Sequence, residues 1–285
     1  MTTDPHKLLK REFAPVRQRY TARDSSLYAL SLGLGTDPLD THQLAYVCEE
    51  GRRAFPTMPN VLGYAGFWAR EPDTGIDWQR LLHVEQSLTL HAPLASEGDV
   101  VGHTRVTGVV DKGVGKGALL YQERQVLDSG SGQLLAEVGQ VSLLRGDGGC
   151  GSTTDPAPPP HRMPDRAPDA VQDLPTLPQA ALLYRLCGDT NPVHADPVTA
   201  RAAGFDRPIL HGLCTFGVAV HALLAGALDW DESRLHRLRV RFSAPVFPGE
   251  TLRTEFWTDA DVVSFRTTAL ERGAVVLDAG RAELS

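Results

Sequence analysis

With 285 residues, 42% hydrophobic and 22% charged, the chain has the make-up of a soluble globular protein, long enough for one large domain or two ordinary ones. A net charge of −7 at pH 7 works against generic attraction to nucleic acid or an anionic membrane, so neither is an expected partner. No apolar run reaches a membrane span, residues 1–20 lack the apolar core of a signal peptide, and the terminal Ala282-Glu283-Leu284-Ser285 is not a Ser-Lys-Leu peroxisomal address, so the expected compartment is the cytoplasm.

In chain order, the first half shows strand-like runs rich in Val, Leu and Thr near 100–110, 117–128 and 133–145. They follow Ala92-Pro93-Leu94 and a turn at Glu97-Gly98-Asp99. Residues 146–168 are rich in Gly and Pro and read as a partly extended linker. Beyond it, 178–187 look helical and end near Gly188. Asp196-Pro197 reads as an N-cap with Pro at the first helical position, and Gly204 as the stop. Residues 212–228 are apolar on nearly every side, which predicts a helix wrapped by other structure. In 237–243 Leu238, Val240 and Phe242 alternate with Arg237, Arg239 and Arg241, a half-buried strand. Ala244-Pro245-Val246 and Pro248-Gly249-Glu250 then repeat the first half's signature, and runs near 251–258, 262–270 and 274–284 repeat its strands. The pattern predicts an internal duplication of an α+β unit, strands packed around a buried helix, the architecture called a hotdog. The divisions are 1–150, a linker at 151–170, and 171–285.

Cys48, Cys150, Cys187 and Cys214 form no Cys-x-x-Cys pair, and free, buried thiols are expected. The chemistry concentrates in Asp189-Thr190-Asn191-Pro192 and His194. Asx side chains and Pro192 stiffen such a turn, and an acid and an imidazole held on one side of a cavity can move the protons of one water. Gly212, without a Cβ, opens the long helix, whose N-terminal N–H groups and dipole can receive charge developing on a carbonyl oxygen. Plainer readings stand beside these. The Asp-x-Asn-Pro is an ordinary turn, His211 packs at the helix start, His221 is a satisfied core histidine, and the three arginines are a solvated strand face. No spacing supports a metal set of Asp189, His194 and His211, and none is expected.

The run Tyr184-Arg185-Leu186-x-Gly188-Asp189-x-Asn191-Pro192-x-His194-x-Asp196-Pro197, followed by Gly204-Phe205-x-x-Pro208-Ile209-Leu210-His211-Gly212-Leu213-Cys214-Thr215-Phe216-Gly217, closely resembles the motif of the (R)-specific enoyl-CoA hydratases, or MaoC-like dehydratases. Tyr28-Ala29-Leu30, Asp37-Pro38, Glu50-Gly51, Pro59, Glu85-Gln86, Asp111-Lys112-Gly113-x-Gly115 and Arg241-Phe242-x-x-Pro245-Val246-x-Pro248-Gly249 extend the likeness over most of the chain. It looks like the double-hotdog form found as the hydratase domain of peroxisomal multifunctional enzyme type 2. The resemblance implies two hotdog units, each a curved antiparallel sheet around a central helix. It also implies reversible hydration of trans-2-enoyl-CoA to (R)-3-hydroxyacyl-CoA without a cofactor, CoA entering with the substrate.

The same likeness implies site residues. Asp189 and His194 would act on one water, Asn191 would support the thioester or that water, and Gly212 would lend oxyanion-hole backbone. Glu50, or its neighbour Glu49, would be a catalytic acid of the N-terminal half. His211, Lys112, Gly113, Arg241 and Phe242 would meet the acyl-CoA. The N-terminal half, without an Asp-x-Asn-Pro-x-His, would have widened to take a bulky acyl tail, and the family pairs chains as homodimers although one chain already pairs two units. Departures are Val84 where the family often has Gly, Cys187 where Ser is common, and a first stretch of some twenty residues without a counterpart. A thioesterase or a non-catalytic acyl-CoA-binding protein on the same fold remain the alternatives.

Overall fold

The computed structural model describes residues 3–156 and 159–285. Ten strands form one antiparallel sheet: β1 (Val16–Tyr20), β2 (Leu81–Leu90), β3 (Gly98–Asp111), β4 (Ala118–Asp128), β5 (Leu134–Leu144), β6 (Ala170–Pro175), β7 (Leu235–Phe242), β8 (Thr251–Asp259), β9 (Val262–Ala269) and β10 (Ala274–Leu284). Their order, β1-β3-β4-β5-β2-β7-β10-β9-β8-β6, is the same five-strand arrangement twice, joined back to back at β2 and β7. The expected strand positions therefore hold to within a few residues, and the repeated sequence signature corresponds to a repeated topology.

At the join, Glu85 pairs with Arg241, Ser87 with Arg239 and Leu88 with Leu238. Alternation sends Leu238 and Val240 inward and leaves the arginines outside. There Glu85 takes Arg239 at 2.7 Å and Arg241 at 3.1 Å. Glu85 thus neutralises two of the seam's three outward arginines.

The helices are α1 (Pro5–Leu9), α2 (Ala22–Ser31), α3 (Thr41–Leu44), α4 (Ala180–Tyr184), α5 (Pro197–Ala202) and α6 (Gly212–Ala227). The expected helix over 178–187 is α4 followed by a 3₁₀ turn, Arg185–Cys187, and the Asp196 cap is in place on Val198 and Thr199. α2 carries a capping box: Thr21 accepts from the Asp24 N–H, and Asp24 accepts from the Thr21 N–H.

α6 is buried from Cys214 to Leu224 under the C-terminal half of the sheet, as its uninterrupted apolar surface requires. Phe216, Val220 and Leu224 are fully enclosed, each worth roughly 1.5–3 kcal/mol of apolar transfer. The N-terminal half differs from the expectation of a central helix in each unit. Where α6 would fall, residues 58–80 form four 3₁₀ turns, Met58–Val61, Trp68–Arg70, Pro72–Thr74 and Trp78–Arg80. Pro59, Pro72, Gly63, Gly66 and Gly75 in that stretch interrupt any longer helix.

The Gly/Pro-rich segment is tied down on both sides of residues 157–158. The Thr153 N–H donates to Val109 O at 2.9 Å, and the Trp257 indole donates to Arg166 O at 2.8 Å. The cysteines are free, but Cys48 is exposed on the turn after α3 and only Cys214 is fully buried, which corrects the expectation of buried thiols. No helix is long and apolar enough to cross a membrane among the described residues.

Candidate active site

The local sequence dictates the loop that carries the acid and the imidazole. Gly188 ends the 3₁₀ turn with φ +125°, a conformation L side chains rarely adopt. The chain then reverses, and one Asp189 carboxylate oxygen accepts the Asn191 N–H at 3.1 Å. The Asn191 side chain accepts the Val193 N–H at 3.2 Å and so caps the short turn Pro192–His194. Asn191 is itself exposed, and its oxygen is occupied in bracing this turn.

His194 is buried, with Nδ1 2.9 Å from Ile209 O. A carbonyl only accepts, so Nδ1 carries the proton and Nε2 keeps a free lone pair. Burial lowers the His194 pKa below its usual value, partly offset by the Ile209 hydrogen bond and the Asp189 charge. The ring is therefore a neutral base at pH 7.

His211 immediately precedes α6 but caps nothing with its side chain. Its Nε2–H donates to the backbone oxygen of Asp189 at 3.1 Å, and its ring stacks on His194 with centroids 3.7 Å apart. Burial lowers its pKa, and the adjacent His194 pushes the same way. Its other face meets Tyr184 at 5.0 Å. His211 thus fastens the acid-bearing loop to the helix and covers one face of the base.

The Asp189 carboxylate and one nitrogen of each histidine lie within 4.8 Å of one another. One water bridges such a gap with two hydrogen bonds of about 2.8 Å. A zinc ion would have to sit about 2.1 Å from both nitrogens and near the plane of both rings. Rings stacked at 3.7 Å and inclined by only 28° share no such point, so the trio suits proton transfer rather than metal ligation.

Gly212 begins α6, and no side chain caps its first N–H groups. A Cβ there would stand 3.2 Å from the Phe242 ring, so glycine lets Phe242 lie against the helix start. Phe242 also meets His83 edge-on at 4.8 Å. His83 reaches this inner face because β2 carries a register shift between His83 and Glu85, at Val84. Burial depresses its pKa to about 4. Strict alternation hides this residue; Val84 in place of the family's glycine was the one local signal.

Other assigned residues lie apart. Glu50 is exposed on the turn after α3. Tyr46 of that segment bonds Glu232 and stands 6.3 Å from Trp230, past the C-terminal end of α6, whereas Asp189 and His194 sit at its N-terminal end. Sixteen residues of helix separate the two ends by roughly 24 Å, so Glu50 does not join the acid/base cluster. Glu49 is also exposed and pairs with Arg52. Arg241 is taken by Glu85 on the outer face. Lys112 and Gly113 form the β3–β4 turn, three to four strand spacings from β7, roughly 15–20 Å. Asp111 accepts the N–H groups of Gly113, Gly149 and Gly151, which makes that turn a braced corner rather than an open phosphate cradle.

Comparison with known proteins follows the same division. Residues 160–279 match the MaoC like domain, and residues 18–146 match the MFE-2 hydratase 2 N-terminal domain. The enoyl-CoA hydratase ChsH3 of Mycobacterium tuberculosis is 39% identical over 91% of each chain, and the peroxisomal enoyl-CoA hydratase 2 of Arabidopsis thaliana is 35% identical over 95% of this chain and 92% of its own. The crystal structure of a MaoC-like dehydratase from Phytophthora capsici superposes with a TM-score of 0.88 at 35% identity, covering 99% of this chain and 98% of that one. A Mycobacterium tuberculosis protein described as a double hotdog shares the fold at 19% identity, with a TM-score of 0.58 over 96% of each chain.

Proposed function

The chain belongs to the MaoC-like dehydratase family, and on that premise we propose that it is an (R)-specific enoyl-CoA hydratase of fatty-acid or related acyl-CoA metabolism. The observation that carries the reading is the one-water gap between the Asp189 carboxylate and the stacked, neutral histidines. A water held there adds its oxygen to C3 of a trans-2-enoyl thioester. His194 Nε2 takes one of its protons, and the Asp189–His194 pair returns a proton to C2, so the sum is one water across one double bond. As the bond forms, negative charge gathers on the thioester oxygen. The uncapped N–H groups at Gly212 and the α6 dipole receive it. Every step is a proton transfer or an electrostatic contact, which calls for no metal or redox group, and CoA arrives as part of the substrate. In this reading the C-terminal half carries the chemistry and the N-terminal half houses the acyl group.

The test is loss of the enoyl-thioester absorbance with crotonyl-CoA and with trans-2-decenoyl-CoA, for wild type and Asp189→Asn, followed by chiral analysis. Loss in wild type alone, giving the (R)-alcohol, is expected. Release of free CoA thiol without hydration would replace the reading with a thioesterase.

A further inference from the structure

Where the C-terminal half encloses α6, the N-terminal half turns polar side chains inward. Gln122 bonds Gln140, Gln140 bonds Ser142, and the Trp68 indole bonds Gln122. This band lies between the main apolar core and a smaller one around Leu8, Trp68 and Leu120. Its end toward the catalytic loop is unusual. Arg124 is only 6% exposed, and no carboxylate among the described residues pairs with it. One of its amino groups donates to Pro59 O at 3.1 Å and Asn60 O at 2.7 Å, while its Nε–H has no partner. Gln86 donates to Asn60 Oδ1 at 2.8 Å, yet Gln86 Oε1 and Asn60 Nδ2 are unpaired. The Tyr184 hydroxyl is fully buried and unpaired as well, and its charge interaction with Arg124 places it in the same neighbourhood.

Native interiors rarely leave buried polar atoms unpaired, and three donors left so in one neighbourhood, from β4, the 58–61 turn and α4, call for an acceptor. The neighbourhood adjoins the reaction site. Tyr184 is one ring contact from His211 and two from His194, and Tyr64, over which Arg124 lies at 5.5 Å, is influenced by the Asp189 charge. Val61 O stands 4.0 Å from where a Gly188 Cβ would be, so the turn rests on the catalytic loop.

We propose that Arg124, Asn60 and Tyr184, with Gln86 holding the Asn60 amide, form a subsite for an oxygen on the acyl tail, so that the preferred substrates are enoyl-CoA thioesters bearing a distal carbonyl or carboxylate rather than plain alkyl chains. The three unpaired donors suit an acceptor oxygen, whereas Gln86, whose amide N–H already donates to Asn60 Oδ1, acts by orienting that residue. Arg124 supplies the positive charge that a carboxylate needs when it leaves water. The inference rests on the hydratase reading for its substrate, but its test does not depend on turnover alone.

The experiment compares trans-2-octenoyl-CoA and trans-2-decenoyl-CoA with the same chains ending in a carboxylate or carrying a keto group near the end. Wild type is expected to favour the oxygenated chains by about tenfold or more in kcat/KM, the scale of one charge-assisted hydrogen bond. The keto and carboxylate arms identify which oxygen is taken. Arg124→Met should erase the ratio and Arg124→Lys should restore part of it. Gln86→Leu should also lower it, and serves if the Arg124 variants do not fold. An equal fall with both classes would make Arg124 only a brace for the 58–61 turn, and no preference in wild type would assign the unpaired groups to bound water; either result overturns the subsite. Calorimetry with saturated octanoyl-CoA and suberyl-CoA reads it without catalysis. Tighter binding of the carboxylated ligand supports it even if no enoyl-CoA is hydrated, and equal binding overturns it.

Discussion

The two halves share a five-strand order and differ in what the strands enclose. The C-terminal half wraps an apolar 16-residue helix whose first residue opens the catalytic site. The N-terminal half wraps short 3₁₀ turns and a hydrogen-bonded band of Gln122, Gln140 and Ser142. The C-terminal interior is therefore filled by one apolar helix, whereas the N-terminal interior sets a polar band between two apolar clusters.

That contrast can be attacked in order of expected effect. Asp189→Asn or His194→Gln should lower kcat for enoyl-CoA hydration by about 10²–10⁴-fold, with an unchanged thermal midpoint. Retained activity in both would break the assignment of chemistry to the C-terminal half. In the core of that half, Phe216→Ala should cost about 3–5 kcal/mol in urea unfolding. Gln140→Ala in the opposite interior should cost about 1 kcal/mol, and equal costs would mean that the two interiors are equivalent.

The pH response sharpens the comparison on the helix side. His221 is buried on α6 and its pKa is depressed to about 4 by burial, so the folded protein holds it neutral. The unfolded chain binds that proton at about pH 6.5, so the stability contributed is present above that value and is lost as pH falls toward about 4. Unfolding free energies at about pH 7 and pH 4.5 should differ more in wild type than in His221→Leu. For catalysis the same sign applies to His194: the acid limb of kcat/KM should lie below about pH 6.5, because the working base is neutral and its pKa is lowered. The smallest effect is expected at Glu50→Gln. An exposed residue away from the cluster should change kcat by no more than about twofold, and a larger loss would show that the turn after α3 reaches the substrate.

Local sequence rules reached far in the C-terminal half because its signals are local. Asp189 to Pro192 specify their own turn, Asp196-Pro197 specifies a helix start, and the unbroken apolar run of 212–228 can only be stable inside. They reached less far where a residue's position depends on distant partners. His83 points inward only because β2 shifts register at Val84. Arg241, a promising cation in the strand pattern, is held by Glu85 of β2, which takes Arg239, 154 residues along the chain, as well. Glu50 carried a family likeness, yet its segment packs near Trp230 at the far end of α6.

By itself the sequence determined most of the strands, though not the edge strands β1 and β6, together with the long buried helix, the duplicated order and the acid and imidazole of the loop, since each follows from periodicity, turn chemistry or a contiguous motif. Tertiary structure alone decided that His211 would stack on His194 and hold the Asp189 carbonyl. It alone put 3₁₀ turns and a polar band where a second central helix was expected, and brought Asn60, Gln86, Arg124 and Tyr184 into one neighbourhood with unpaired atoms. Burial, tautomer and pKa belong to that second group, because they depend on which groups the fold removes from water and on what it places beside them.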